Sequence, residues 1–258
     1  MKLLITVRYV GTRYCGYQVQ PNGPTVQAAL CAAAEALFGF PCDIVGCSRT
    51  DSGVHAECFC ATISRRGEDY LPTNVPVERI PRALCRHLPE DIAVWGAKWV
   101  PPSFHARYDV LEKVYTYRIW NRHERDPFLA DRAWHYPCPI SDAQFSAMRD
   151  AAQRYVGEHD FAAFMAQGSS VTSTVRTVTA ASVERQGDLI LFRVAANGFL
   201  YNMVRIMAGT LIAVAEGKIA PDEIDDILCS RDRNRAGITA PACGLCLSQV
   251  VYSPEFCI

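Results

Sequence analysis

Hydrophobic positions recur with the helical period in two capped stretches of the 258-residue chain. Thr25 precedes Val26, Ala29, Leu30, Ala33 and Leu37, which share one helix face, and Gly39 follows where a left-handed closing residue belongs. Ser141 with Gln144 makes a capping-box pair ahead of Phe145, Met148, Ala152 and Tyr155, closed by Gly157. A third helix is predicted over about 200–216, and a short one from Pro221, a good first helical residue. Stretches rich in β-branched and aromatic residues between turn signals predict strands at 3–9, 42–47, 57–63, 92–100, 113–120, 175–183, 189–195 and 245–252. Residues 185–188 read as a hairpin loop between two of them.

These strands and helices lack the regular alternation of a doubly wound parallel sheet. The predicted class is therefore α+β, in two halves each resembling a ferredoxin-like unit. Turn residues place the boundary near 101–104 or near 137–140. The division taken is an N-terminal domain, 1–103, and a C-terminal domain, 104–258.

Composition narrows the class without naming a function. With 50% hydrophobic and 21% charged residues, Gly 16 and Pro 15, collagenous, low-complexity and disordered chains are excluded. A net charge of −1 argues against a globally basic nucleic-acid coat and leaves a local basic groove open. Arg outnumbers Lys 22 to 4, a bias that suits two-point contacts to phosphate or carboxylate and also follows from GC-rich codons. The longest apolar run, 206–215, falls short of the roughly 20 residues of a bilayer span. Residues 1–10 lack a signal-peptide pattern, so the chain is read as cytoplasmic with no membrane attachment, and its 12 cysteines as thiols.

Three segments could carry chemistry. In Gly46-Cys47-Ser48-Arg49-Thr50-Asp51-Ser52-Gly53-Val54-His55-Ala56 a polar loop joins two apolar strands and presents one carboxylate, Asp51, near Arg49 and His55. A cation facing Asp51 would keep it ionised as a nucleophile or base; an Asx-turn is the plain structural alternative. In 197–211 Arg205 stands in an otherwise apolar helix, where it needs an acid partner or a route to the surface. Beyond His105-Ala106-Arg107, Tyr115 and Tyr117 fall on one face of a strand, as stacking partners for an unstacked base or as core aromatics.

Together these segments resemble the tRNA pseudouridine synthase A family, in order and at compatible spacing. Further matches are Tyr9-x-Gly11-x-x-Tyr14-x-Gly16-Tyr17-Gln18-x-Gln20, Thr25-Val26-Gln27 with Leu30, Leu88-Pro89-x-Asp91-Ile92, Asp160-Phe161 with Phe164, and Gly244-Leu245-x-Leu247, so the resemblance covers nearly the whole chain. It implies two ferredoxin-like (RRM-like) halves sharing a long, mainly antiparallel sheet with a central catalytic cleft. It also implies a homodimer that converts uridine to pseudouridine in the anticodon stem-loop of tRNA, roughly positions 38 to 40, with no cofactor and no metal. By motif position Asp51 is the catalytic carboxylate, Tyr115 the active-site tyrosine and Arg205 the arginine paired with the aspartate. Arg49 stands beside that site, and Arg13, Tyr14 and Arg107 are taken as further substrate-binding residues. Val10, Tyr17, Asn202 and Ile206 depart from the residues common in the family at those positions.

Two other classes stay in view. A non-catalytic RNA-binding protein of the same fold would need no acid in that loop. A metal or redox protein built on Cys243-Gly244-Leu245-Cys246 would need a second cysteine pair beside it.

Overall fold

A computed structural model describes residues 1–168 and 171–256. The chain forms two compact units, Met1–Leu111 with Leu247–Ile258, and Glu112–Cys246.

The first unit contains β1 (Lys2–Tyr9), α1 (Val26–Phe38), β2 (Cys42–Gly46), β3 (His55–Arg65), α2 (Ile80–Cys85) and β4 (Ile92–Val100). β1 lies between β4 and β3, antiparallel to both, and β2 pairs antiparallel with β3. Leu3, Ile5 and Val7 alternate onto one face of β1 and are fully buried, as are Leu30 and Ala34 of α1 and Ile80 and Leu84 of α2. α1 starts and stops where its sequence signals stand. Thr25 Oγ1 accepts from the Ala28 amide at 3.3 Å, and Gly39, at φ 79°, donates its amide to the Glu35 carbonyl.

The second unit contains β5 (Glu112–Trp120), β6 (Trp134–His135), α3 (Asp142–Gln153), β7 (Gly157–Asp160), β8 (Val175–Gln186), β9 (Leu189–Ala196), α4 (Met203–Ala215) and α5 (Glu223–Ser230). Its strands run β5-β9-β8-β7, all antiparallel, and β6 adds one parallel pair to β5. The fold class is α+β. The Ser141 and Gln144 capping box forms in full, with bonds of 3.3 and 2.8 Å. α4 is buried almost all round, as an apolar helix in a core must be, and Tyr155, Phe161, Phe164 and Phe192 pack as an aromatic cluster in the same unit.

β10 (Leu245–Val251) is the last strand and lies beside β3 of the first unit. Within that unit the Leu111 amide bonds the Val251 carbonyl (2.9 Å), the Tyr252 hydroxyl donates to the Ala106 carbonyl (2.6 Å), and the Phe104 ring meets Tyr252 and Phe256. Residues 104–111 and 247–258 therefore group with the first unit, where the turn-based division placed them in a domain of 104–258.

Other differences are local. The hairpin turn is the two residues Gly187-Asp188, because Arg185 and Gln186 still pair with Ile190 and Leu189. The short helix begins at Glu223 instead of Pro221. α2, β6 and β7 are too short for a hydrophobic period to reveal. Among the described residues no helix is long and apolar enough to cross a membrane.

Candidate active site

In the first unit, the loop between β2 and β3 is held by backbone contacts from residues 9–17. The Tyr17 amide bonds the Thr50 carbonyl (3.0 Å), the Ser52 hydroxyl donates to the Tyr14 carbonyl (3.2 Å), and Tyr9 Oη and Thr50 Oγ1 lie 2.8 Å apart. The Gly53 amide points at the Tyr14 carbonyl, and the Val54 amide closes a turn on the Asp51 carbonyl. Such close approach needs glycine. A Cβ at Gly11 would sit 1.9 Å from the Val54 oxygen, and one at Gly16, where φ is +90°, 2.7 Å from the Thr50 oxygen. At the foot of the loop the Cys47 amide bonds the Cys60 carbonyl, and the Cys60 amide points at Cys47 Sγ. Asp51 itself is half-buried, on backbone tied down on both sides.

His55 does not serve as a cation for Asp51. It is buried, and its Nδ1 accepts from the Gly11 amide at 3.0 Å; an imidazole that accepts there is neutral. Arg49 is exposed on the same loop, and Arg107 is exposed with its guanidinium carbon 5.8 Å from the Tyr108 ring. Arg13 and Tyr14 converge on Asp91, a residue the sequence marks only as part of a matching motif. The Tyr14 hydroxyl donates to Oδ1 at 2.6 Å, and Arg13 Nε and Nη2 each lie 2.8 Å from Oδ2. Burial first, and the Asp91 hydrogen bond next, push the Tyr14 hydroxyl well above its ordinary pKa, so it stays a donor. Tyr17 is a packing residue, its buried ring 4.3 Å from that of Phe59 and pressed over Gly46.

In the second unit β5 carries Lys113, Tyr115, Tyr117 and Ile119 on one buried face. The Tyr115 ring stands edge-on to Phe199 at 5.1 Å. Tyr117 donates its hydroxyl to the Pro241 carbonyl at 2.7 Å, and its ring leaves no room for a Cβ at Gly244. Burial raises the Tyr117 pKa, which keeps its hydroxyl a donor to that carbonyl.

Arg205 lies near the start of α4, half-buried. Its Nε donates to the Ala240 carbonyl and its Nη1 to Asn202 Oδ1, both at 2.7 Å, and its own carbonyl accepts from the Ala240 amide. Asn202 precedes the helix in the left-handed conformation (φ 59°), which Asn tolerates better than most residues. Residues 236–241 can lie against α4 because two glycines meet there. A Cβ at Gly209 would fall 1.9 Å from the Ile238 oxygen, and one at Gly237 2.6 Å from Thr210. Thr210 Oγ1 then accepts the Gly237 amide at 2.9 Å.

Among the described residues no three His, Cys, Asp or Glu side chains gather as a metal would require. Cys243 Sγ lies against the Ala133 carbonyl, Cys246 is buried, and the described cysteines are free thiols; Cys257 lies outside the described residues.

Comparison with known proteins gives consistent matches. A family model described as tRNA pseudouridine synthase matches residues 5–109 and 151–253. The chain is 46% identical over 250 residues to tRNA pseudouridine synthase A of Thermoanaerobacter sp. (strain X514), covering 97% of this chain and 99% of the relative. It is 45% identical over 252 residues to that of Moorella thermoacetica, with 97% and 99% covered. Among solved structures, a chain of a Cbf5-Nop10-Gar1 complex aligns over 95% of this chain and 48% of its own length, at TM-score 0.37 and 15% identity, too distant to carry an argument.

Proposed function

Because the chain belongs to the tRNA pseudouridine synthase family, we propose that it is the isomerase that converts uridine to pseudouridine in the anticodon stem-loop of tRNA, at roughly positions 38 to 40. The reaction breaks the N1–C1′ bond, turns the base, forms a C5–C1′ bond, and moves one proton from C5 to N1. Atoms and electrons balance within the nucleotide, so this chemistry calls for no redox partner and no group donor. An ionised carboxylate can begin it by attacking the sugar, attacking the base, or removing a sugar proton.

The reading gives that role to Asp51. The observation that carries it is the backbone lock on the loop, which holds a half-buried carboxylate still on glycines at van der Waals limits. Arg205 is the cation that keeps the carboxylate ionised, and Tyr115 lies beside the unstacked uridine. Arg49 and Arg107 meet neighbouring phosphates with exposed guanidinium groups. Arg13 and Tyr14 contribute through Asp91, which stiffens the turn under the Asp51 loop, and Arg13 keeps an exposed edge toward RNA. Exclusion of water from the bound nucleotide would protect the cleaved ribose from hydrolysis.

The finer fold expectation, ferredoxin-like halves sharing one sheet around a central cleft, belongs to the same proposal. Antiparallel strands accompanied by at least two helices in each unit support it. A cytoplasmic homodimer completes the reading.

Release of tritium from tRNA labelled at uridine C5 tests it. Wild type releases label and Asp51→Asn binds tRNA with little change while losing more than about a hundredfold in turnover, the usual cost of removing a base or nucleophile. Residual turnover above about one per cent would take the role from Asp51.

A further inference from the structure

We propose that α2 and the end of α1 form a phosphate-binding groove that grips the tRNA backbone at a distance from the target uridine, an inference that rests on the tRNA-modifying reading above. Arg79 and Arg86 flank α2 as its capping residues, both in helical backbone conformation, and Arg82 lies within it; at spacings of three and four the three fall on one side. Ile80 and Leu84 are fully buried, and that anchoring turns the arginine face outward, where all three side chains are exposed. An open groove of about 770 Å³ lies along them, floored by Leu37 and Ala83 and flanked by His87.

Charge decides the occupant. Among the described residues none of these three guanidinium groups makes a hydrogen bond or an ion pair, whereas Arg13, Arg66, Arg122, Arg154 and Arg185 each sit on a carboxylate. Glu78 is the one acid lining the groove against three arginines. Like charges three or four residues apart, one in a six-residue helix and one at each of its ends, work against that helix, so folding alone does not account for them. In a chain of net charge −1 such a concentration is a local feature suited to a polyanion. Guanidinium forks match phosphate oxygens, and the lining holds no Phe, Tyr or Trp on which a base could stack. The sugar-phosphate backbone therefore fits better than an unstacked base.

Position within the first unit says which phosphates. Leu37 stands at the end of α1, next to the start of β2, and the Asp51 loop leaves the other end of β2. Five residues of strand span about 17 Å, or roughly five nucleotide steps along one strand of a duplex. The groove would thus hold RNA outside the immediate neighbourhood of the modified base, adding affinity without touching the chemistry.

The test replaces Arg79→Gln, Arg82→Gln and Arg86→Gln together in the full chain and measures turnover and affinity on full-length tRNA over a range of salt. The expected result is an unchanged kcat, a KM raised about tenfold, and a slope of log affinity against log salt shallower by about 2 to 3. The triple Arg→Lys variant should restore most of the slope, since charge is kept. If the triple Gln variant melts early, Arg82→Gln alone should reduce the slope by about 1. An active wild type alongside folded variants with the same KM and the same slope would overturn the groove. A wild type that makes no pseudouridine yet binds tRNA with this variant-sensitive slope would overturn the catalytic reading and leave the groove standing.

Discussion

Arg205 uses its Nε–H and one Nη1–H on the Ala240 carbonyl and the Asn202 side chain, so the plane of its guanidinium is set by the chain around it. A lysine at this position has no Nε–H and no fork, and its single ammonium would move to whichever acceptor it reached best. Arg205→Lys is therefore expected to lower kcat by at least about tenfold with tRNA affinity nearly intact, and single-turnover rates beside binding curves would check this. Equal losses in binding and turnover would make Arg205 a docking residue. Much at this scale was legible in advance. The charge in an apolar helix and the acid in a glycine-flanked loop are both exceptions to local pattern, and exceptions stand out. Asp91 did not stand out, because its partners lie 77 and 78 residues away in sequence.

At the level of elements, α4 carries a glycine where intrinsic propensity favours alanine by about 1 kcal/mol. Gly209→Ala should nonetheless destabilise the protein by about 1 to 3 kcal/mol, the usual range for overpacking, because the new Cβ would fall on the Ile238 carbonyl. Thermal melting supplies the sign; a rise in Tm would mean that residues 236–241 move aside freely. Because the same segment supplies the Ala240 carbonyl to Arg205, turnover should fall as well. α1 was readable from both its caps and α3 from its capping box, but Gly157 does not close α3: the helix ends at Gln153 with Arg154 as its cap, and Gly157 opens β7. α2 was not readable, since six residues hold less than two turns, too few to show a period; Pro81 sits in its first turn, where proline is tolerated.

For the whole molecule the open quantity is assembly. A folded tRNA presents far more surface than one stem-loop, and a chain of 28.6 kDa with net charge −1 has limited basic area to offer it. A homodimer would double that area, and light scattering at micromolar protein should return about twice the chain mass. A monomer that modifies full-length tRNA at an undiminished rate would refute the dimer and leave Asp51 untouched.

Local pattern by itself determined the α+β class, both caps of α1, the capping box of α3 and most strands. All of these depend on neighbours within a few residues, where caps, periodicity and turn chemistry act. Tertiary structure decided the rest. It returned the last strand to the first unit through Leu111 and Val251, made His55 a neutral acceptor for the Gly11 amide, and turned Gly11, Gly16 and Gly209 into points of contact between distant backbones. A glycine read along the chain is only a flexible residue. What it makes room for depends on which segment folding brings against it, and that follows from burial of the whole chain, not from the residues beside it.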